Sequence, residues 1–274
     1  MPYCSMPSIL RLRALSAIAA SVTSSSAFAG QGTIVHQAAL PTLSGGLGSF
    51  QMQGLQPPGQ SDTFPISVTV PQFSPCPDVT LTGVRVTLTA STSGGCQTSC
   101  QPGVTTVVTG RLLLQANLAG AGLSAQGSSA SQTGGPVTLS SSNGHQAFFN
   151  LSPGTVIATI DREVLASAVP QYVGSGTASF GGAFLFGQSG SASPSPVTIQ
   201  FFRTTAASLT VTYTFITPPA DLNGDRVVDG SDLGALLAEW GSKAPGAADL
   251  DGSGSVDGLD LGVLLAEWGS SGCS

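Results

Sequence analysis

The stretch Asp221-Leu-Asn-Gly-Asp-Arg-Val-Val-Asp-Gly-Ser-Asp232 returns 28 residues later as Asp249-Leu-Asp-Gly-Ser-Gly-Ser-Val-Asp-Gly-Leu-Asp260. Aligned over residues 220–241 and 248–269, 16 of 22 positions are identical, so the C-terminal part is a duplicated structural unit with repeats at 221–241 and 249–269. Oxygen-bearing residues recur on alternate positions within each copy. In the first they are Asp221, Asn223, Asp225, the backbone at Val227, Asp229 and then Asp232; in the second they are Asp249, Asp251, Ser253, Ser255, Asp257 and Asp260. Calcium takes six to eight oxygens, and a loop curled around it turns alternate side chains inward, so the pattern predicts two twelve-residue calcium loops and two Ca2+ ions.

Gly224 and Gly252 ease the first bend of each loop, and Gly254 suits the sharp turn of the second. Arg226 stands at the equivalent turn of the first loop and is expected in a left-handed conformation, at a cost of roughly 1 kcal/mol. Val228 and Val256 are expected to zip the two loops together. A short helix should follow each loop, its apolar stripe at i, i+3, i+4, i+7 formed by Leu233, Leu236, Leu237 and Trp240, or by Leu261, Leu264, Leu265 and Trp268, with Gly241 and Gly269 as C-terminal caps. No helix pattern precedes either loop. The unit is a loop plus one helix, twice.

Over residues 221–268 the chain resembles a type I dockerin, a calcium-folded module that plugs extracellular bacterial proteins into cohesin domains. Duplication, ligand spacing and helix stripe all carry the resemblance, which implies two Ca2+ ions and a protein partner. It also implies that Gly230, Ser231, Gly258 and Leu259, just before the final Asp of each loop, contact that partner. These differ from the Ser/Thr pairs of the best-known dockerins, and both loops end in Asp instead of the bidentate Glu of sensor hands.

The N-terminus reads as an export signal over residues 1–29. Arg11 and Arg13 precede the apolar run of residues 14–22, and Ala27-Phe-Ala29 is a small-x-small cleavage site. No stretch reaches the roughly 20 apolar residues of a spanning helix. From Gly30 to Thr217 four acids (Asp62, Asp78, Asp161, Glu163) balance four bases (Arg85, Arg111, Arg162, Arg203). From Pro218 onward ten acids face only Arg226 and Lys243, a balance of minus eight. Nothing offers the basic surface a nucleic-acid binder needs. Pro218 and Pro219 mark a boundary between a domain at 30–217 and the calcium module at 218–274.

The central domain reads as mainly β, an antiparallel β-sandwich. Ile66, Val68 and Val70 alternate with polar residues, as do Leu209, Val211, Tyr213 and Phe215. Over residues 79–89 the apolar phase slips at Gly83, which predicts a β-bulge. Further strands are expected at 105–114, 146–151, 155–160, 172–186 and 197–203, separated by Gly/Ser/Pro turns. Residues 64–89, 172–180 and 209–215, in that order, resemble the choice-of-anchor E domain. That family comprises exported bacterial β-rich domains that end in varied attachment modules, and the resemblance spans about residues 35–216 and brings no catalytic residues.

Candidate chemistry in this domain is sparse. His36 and His145 are the only histidines, and no nucleophile elbow surrounds any serine, so both are expected as solvated loop residues. Asp161 and Glu163 could form a glycosidase carboxylate pair, although Arg162 between them favours a charged strand edge. Phe73, Tyr172, Phe201 and Phe202 could stack on sugar rings, but strand aromatics more commonly fill a core. Cys76, Cys96, Cys100 and Cys273 remain after loss of Cys4 with the leader; they allow three pairings, with a local staple expected among the first three, and they lack the histidine and spacing of a zinc site.

The sequence thus predicts a secreted, non-catalytic attachment protein whose tail folds on calcium and docks to cohesin or another surface protein. The competing expectation is a carbohydrate-binding or glycoside-hydrolysing cargo of a polysaccharide-degrading assembly.

Overall fold

The computed structural model describes residues 15–18, 22–28, 31–55, 60–74, 79–99, 103, 105–140, 146–150, 155–243 and 246–269. His145, Cys76, Cys100 and Cys273 lie outside the described residues.

Strands follow the alternating apolar pattern. They are β1 (Leu15–Ile18), β2 (Val22–Phe28), β3 (Gln31–Leu55), β4 (Gln60–Pro71), β5 (Thr80–Ser99), β6 (Thr105–Gly120), β7 (Leu123–Ser128), β8 (Gln132–Ser140), β9 (Gln146–Asn150), β10 (Val156–Glu163) and β11 (Thr177–Ile216). Two nine-residue helices close the chain, α1 (Gly230–Ala238) and α2 (Gly258–Ala266).

The 40-residue β11 organises the sandwich by belonging to both layers. Its first half, residues 177–193, pairs antiparallel with β4 on one side and β6 on the other, and β7 and β8 extend that layer from β6. Its second half, residues 197–216, pairs antiparallel with β3 and β5, and β10 and β9 extend the second layer from β5. The register breaks between Ala192 and Val197, where Pro194 and Pro196 cannot donate to a ladder and the strand passes between layers. β4 and β3 are therefore the outer strands on one side of the sandwich. β1 pairs parallel with β4 and β2 pairs antiparallel with β3, so backbone from the first 29 residues lies along both edges.

Period-2 alternation puts one face of each strand between the layers. Val68, Val70, Leu114, Phe180, Phe184 and Phe186 from one layer meet Val86, Leu88, Ile160, Ile199, Val211 and Phe215 from the other in one core. Tyr213 ties the layers with a polar contact, its hydroxyl donating to the Pro71 carbonyl at 2.7 Å. Arg203 is buried on the same inner face because its planar guanidinium lies 3.6 Å from the Phe186 ring centre and 4.2 Å from that of Phe64. The bulge expected at Gly83 is present. Thr214 faces Gly83 and Phe215 faces Leu81, leaving Thr82 as the extra residue, its hydroxyl donating to the Thr214 carbonyl.

Several expectations are corrected by burial. His36 is not a solvated loop residue: it lies on β3 facing inward, edge-on to Tyr213 at 5.6 Å, and burial lowers its pKa. Residues 172–176 are not strand, because Pro170 starts a short 3-10 turn (Val169–Tyr172) and positive φ at Gly174 delays β11 until Thr177. Phe73, Tyr172 and Phe201 are core residues, as favoured for strand aromatics; of that set Phe202 is the exposed one. Cys96 is a free thiol packed inside, opposite Phe201, with its pKa pushed up to about 12 by burial, so it takes no part in the expected staple.

Candidate calcium-binding site

The two repeats build the same loop. Asp221 sits buried at the mouth of the first, its two oxygens accepting from the Gly224 and Arg226 amides at 2.9 and 3.0 Å. Desolvation raises its pKa, more than those two bonds offset. Arg226 has φ 74°, the left-handed geometry its position demands, and Gly254 has φ 88° at the matching turn of the second loop. Asn223 accepts from the Asp225 amide and donates to the Asp225 carboxylate, which in turn accepts from the Val227 amide. In the second loop Asp251 accepts from the Ser253 amide, the Ser253 hydroxyl donates to the Ser255 carbonyl, and the Ser255 hydroxyl donates to Asp257.

The final Asp of each loop does more than its spacing reveals. Asp232 accepts from the Leu222 and Asn223 amides with one oxygen and from the Asp229 amide with the other, at 2.8 to 3.1 Å. Asp260 repeats this with Leu250, Asp251 and Asp257. Asp229 and Asp257 are the helix N-caps, and each forms a reciprocal capping box with the final Asp three residues on. One carboxylate thus starts the helix and closes the loop. The backbone bonds, led by that from Asp257, hold the Asp260 carboxyl below the usual Asp range.

Oxygens converge most clearly in the second loop. Carboxylate oxygens of Asp249, Asp251 and Asp260 all lie within 4.8 Å of one another, a grouping able to hold a cation. Asp249 gives one oxygen to the Gly254 amide, while its Oδ1 is buried with no hydrogen-bond partner. A buried, unpartnered carboxylate oxygen beside two further carboxylates is strongly unfavourable unless a cation joins them, so the donor set fits a hard divalent ion. The first loop places Asp221, Asn223 and Asp232 in the matching positions, with an amide where the second has a carboxylate.

Val228 and Val256 join the two loops through one apolar cluster, as expected. Val228 and Val256 are both fully buried in one small cluster with Leu236, Leu264, Ala220 and Ala248. Their backbones bond across the pseudo-twofold to the opposite helix end: Gly241 donates to Val256 and Gly269 donates to Val228. Gly241 and Gly269 take the expected positive φ. Glu267, at the end of α2, accepts from the Ala220 amide at 3.0 Å and clasps the start of the module to its end, a contact whose only sequence trace is the repeated Glu239/Glu267.

The helix stripes do not pack as full stripes. Leu236 and Leu264 are buried and Leu233 and Leu261 partly so, but Leu237, Trp240, Leu259, Leu265 and Trp268 are 45–67% exposed. The nine-residue helices end before either Trp, and two short helices cover only one line of each other. Gly230, Ser231, Gly258 and Leu259 are exposed in the first helical turns beside this apolar surface.

In the sandwich, Asp161 and Glu163 share a face of β10 as expected, yet they do not pair. Asp161 is held by Arg85 through two bonds of 2.8 and 2.6 Å and by the Thr87 hydroxyl, which together keep its pKa below the usual range. Glu163 lies opposite Arg85 in the β5 register. Asp161 is thus a salt-bridged carboxylate on the exposed face of β10.

Loop, capping box and helix, repeated about a pseudo-twofold, define a duplicated calcium-loop module fused to a β-sandwich. Residues 219–266 match the family model of the dockerin type I domain. No curated protein matches the chain. Among solved structures it is similar to the infectious bursal disease virus Gx strain structure (11% identity, TM-score 0.19, 79% of this chain and 46% of that one). It is also similar to the VP2 subviral particle of that virus (10% identity, TM-score 0.21, 74% and 49%). The chain spans about half the length of these structures, and the superpositions are too loose to define a shared fold.

Proposed function

We propose that the protein is a secreted attachment protein, in which residues 218–274 bind two Ca2+ ions and dock to a cohesin or another surface protein, while residues 30–217, a choice-of-anchor E-like sandwich, form the non-catalytic body. Residues 1–29 are the leader, removed near Ala29. The observation that carries the reading is the buried, unpartnered Asp249 Oδ1 beside Asp251 and Asp260, inside a module that matches the dockerin family. Asp221, Asn223, Asp225, the Val227 carbonyl, Asp229 and Asp232 hold the first ion; Asp249, Asp251, Ser253, Ser255, Asp257 and Asp260 hold the second. The ion supplies the positive charge that lets crowded carboxylates close the loop, and closure sets the helices side by side. The partner is met by Gly230, Ser231, Gly258 and Leu259 together with the apolar surface of Leu237 and Leu265.

The test is calorimetric calcium titration of the full chain, followed by cohesin binding with calcium and with excess chelator. Two sites, and cohesin captured only with calcium, support the reading. Cohesin binding that survives chelation, or no calcium uptake, overturns it. The ion pair that holds Asp161 weighs against a glycoside-hydrolysing body.

A further inference from the structure

We propose that the mature protein self-associates through the outer edge of β3, a second copy of the chain supplying an antiparallel β3 where the leader strand β2 lies. This rests on the leader reading above. In the full chain β2 runs antiparallel along β3, in register from Ser24 against Val35 to Phe28 against Gln31, with a register shift between Val22 and Ser24, so this edge accepts a strand of that direction. Removal of residues 1–29 takes β2 and β1 away and leaves the outward backbone groups of β3 and β4 to water or to another strand.

Exposed edges are normally blunted by charge or proline, and the two edges differ in this. β4 carries Pro65 and Pro71. β3 carries neither device over residues 31–40, a ten-residue run closed by Pro41, and no Asp, Glu, Lys or Arg occurs anywhere from Ala14 to Ser61. The side chains that would flank the new ladder on its solvent face are Gln31, Gln37 and Ala39, which are uncharged and exposed. Two copies do not repel through their bodies, because residues 30–217 carry four acids and four bases. Antiparallel pairing of a strand with its own copy is isologous and closes at two, which favours a dimer over a fibre.

The test uses the chain as recovered after secretion. Its intact mass reports whether residues 1–29 are gone, and sedimentation velocity with and without calcium reports its assembly. A cleaved chain sedimenting as a dimer in both conditions is expected, with Gln37→Lys and Ala39→Lys each halving the sedimenting mass and leaving the circular dichroism unchanged. Two lysines change the edge at different points, so a fold failure in one leaves the other to decide. A cleaved chain that is monomeric, a dimer that survives both lysines, or a dimer lost on chelation overturns the β3 contact. Retention of residues 1–29 instead overturns the leader reading, and this inference falls with it.

Discussion

Leu236→Ala and Leu237→Ala lie one residue apart on the same helix, and the structure assigns them opposite consequences. Leu236 is fully buried in a cluster whose other buried members are Ala220, Val228, Ala248, Val256 and Leu264, whereas Leu237 is 52% exposed. Emptying a fully buried leucine costs about 2–5 kcal/mol. A module of roughly 55 residues has about 3–8 kcal/mol in total to lose. Leu236→Ala therefore removes a large share of the module's stability and raises the calcium needed to fold it. A loss of about 3 kcal/mol is about two decades in the folding equilibrium, and shared between two bound ions it moves the calcium midpoint up by about tenfold. Leu237→Ala should stay within about 0.5 kcal/mol, with little midpoint change. The readout is built into the chain. Trp240 and Trp268 are its only tryptophans and both belong to the module, so tryptophan emission of the full protein during a calcium titration follows this module alone. Equal midpoint shifts for the two variants would refute the reasoning, because they would mean that the helices bury their whole apolar stripes.

Three further outcomes are expected. Asp249→Asn removes the charge behind the buried unpartnered Oδ1, so calorimetry should no longer find two calcium sites; an unchanged count would mean that this oxygen is not a ligand. Tyr172 and Tyr213 are the only tyrosines after residue 29; burial pushes Tyr172 from 10.0 up to about 12 and Tyr213 higher still, the latter with help from Tyr172. Folded pKa values raised above the unfolded ones give stability that is complete below pH 10 and is lost as pH rises from there, about 3 kcal/mol from Tyr172 alone, so tyrosinate absorbance near 295 nm should rise together with loss of near-ultraviolet dichroism. Separate transitions, with tyrosinate forming in a still-folded body, would contradict the burial. Cys96, buried and with its pKa near 12, should resist iodoacetamide at pH 8 until denaturant is added, as read by peptide mass mapping; labelling of the native protein at Cys96 would place it elsewhere.

The body was legible in the sequence wherever a strand has one wet face. The runs at 66–70 and 209–215 alternate, and both became strands, with the slip at Gly83 realised as the extra residue Thr82. What alternation cannot show is partnership. Nothing local marks β11 as a single strand crossing between layers, because Pro194 and Pro196 look like an ordinary turn until the pairings on either side are known. β3 escaped for a related reason: after Leu40 its Gly/Ser-rich sequence lacks a clear period, and its extended form is imposed by β11 beside it. His36 was misplaced because a lone polar residue gives no phase; its neighbours Ile34 and Ala38 put it on the inner face.

The C-terminal module was legible for the opposite reason, since its loop geometry follows a fixed spacing and the duplication states that spacing twice. Arg226 shows how far this reaches: its left-handed φ of 74° follows from loop position alone, against the residue's own preference. The limit lies with residues that serve two structures at once. Asp232 and Asp260 read as the last ligands of their loops, yet each also completes a capping box and gathers three backbone amides, so the helix start and the loop closure share one carboxylate. That sharing joins the loop to the helix mechanically. A loop that opens releases the amide of its helix cap, and the cross-bonds from Gly241 to Val256 and from Gly269 to Val228 carry the loss to the other repeat. The two loops should therefore fill and empty together, although only the second gathers three carboxylates around an unpartnered buried oxygen.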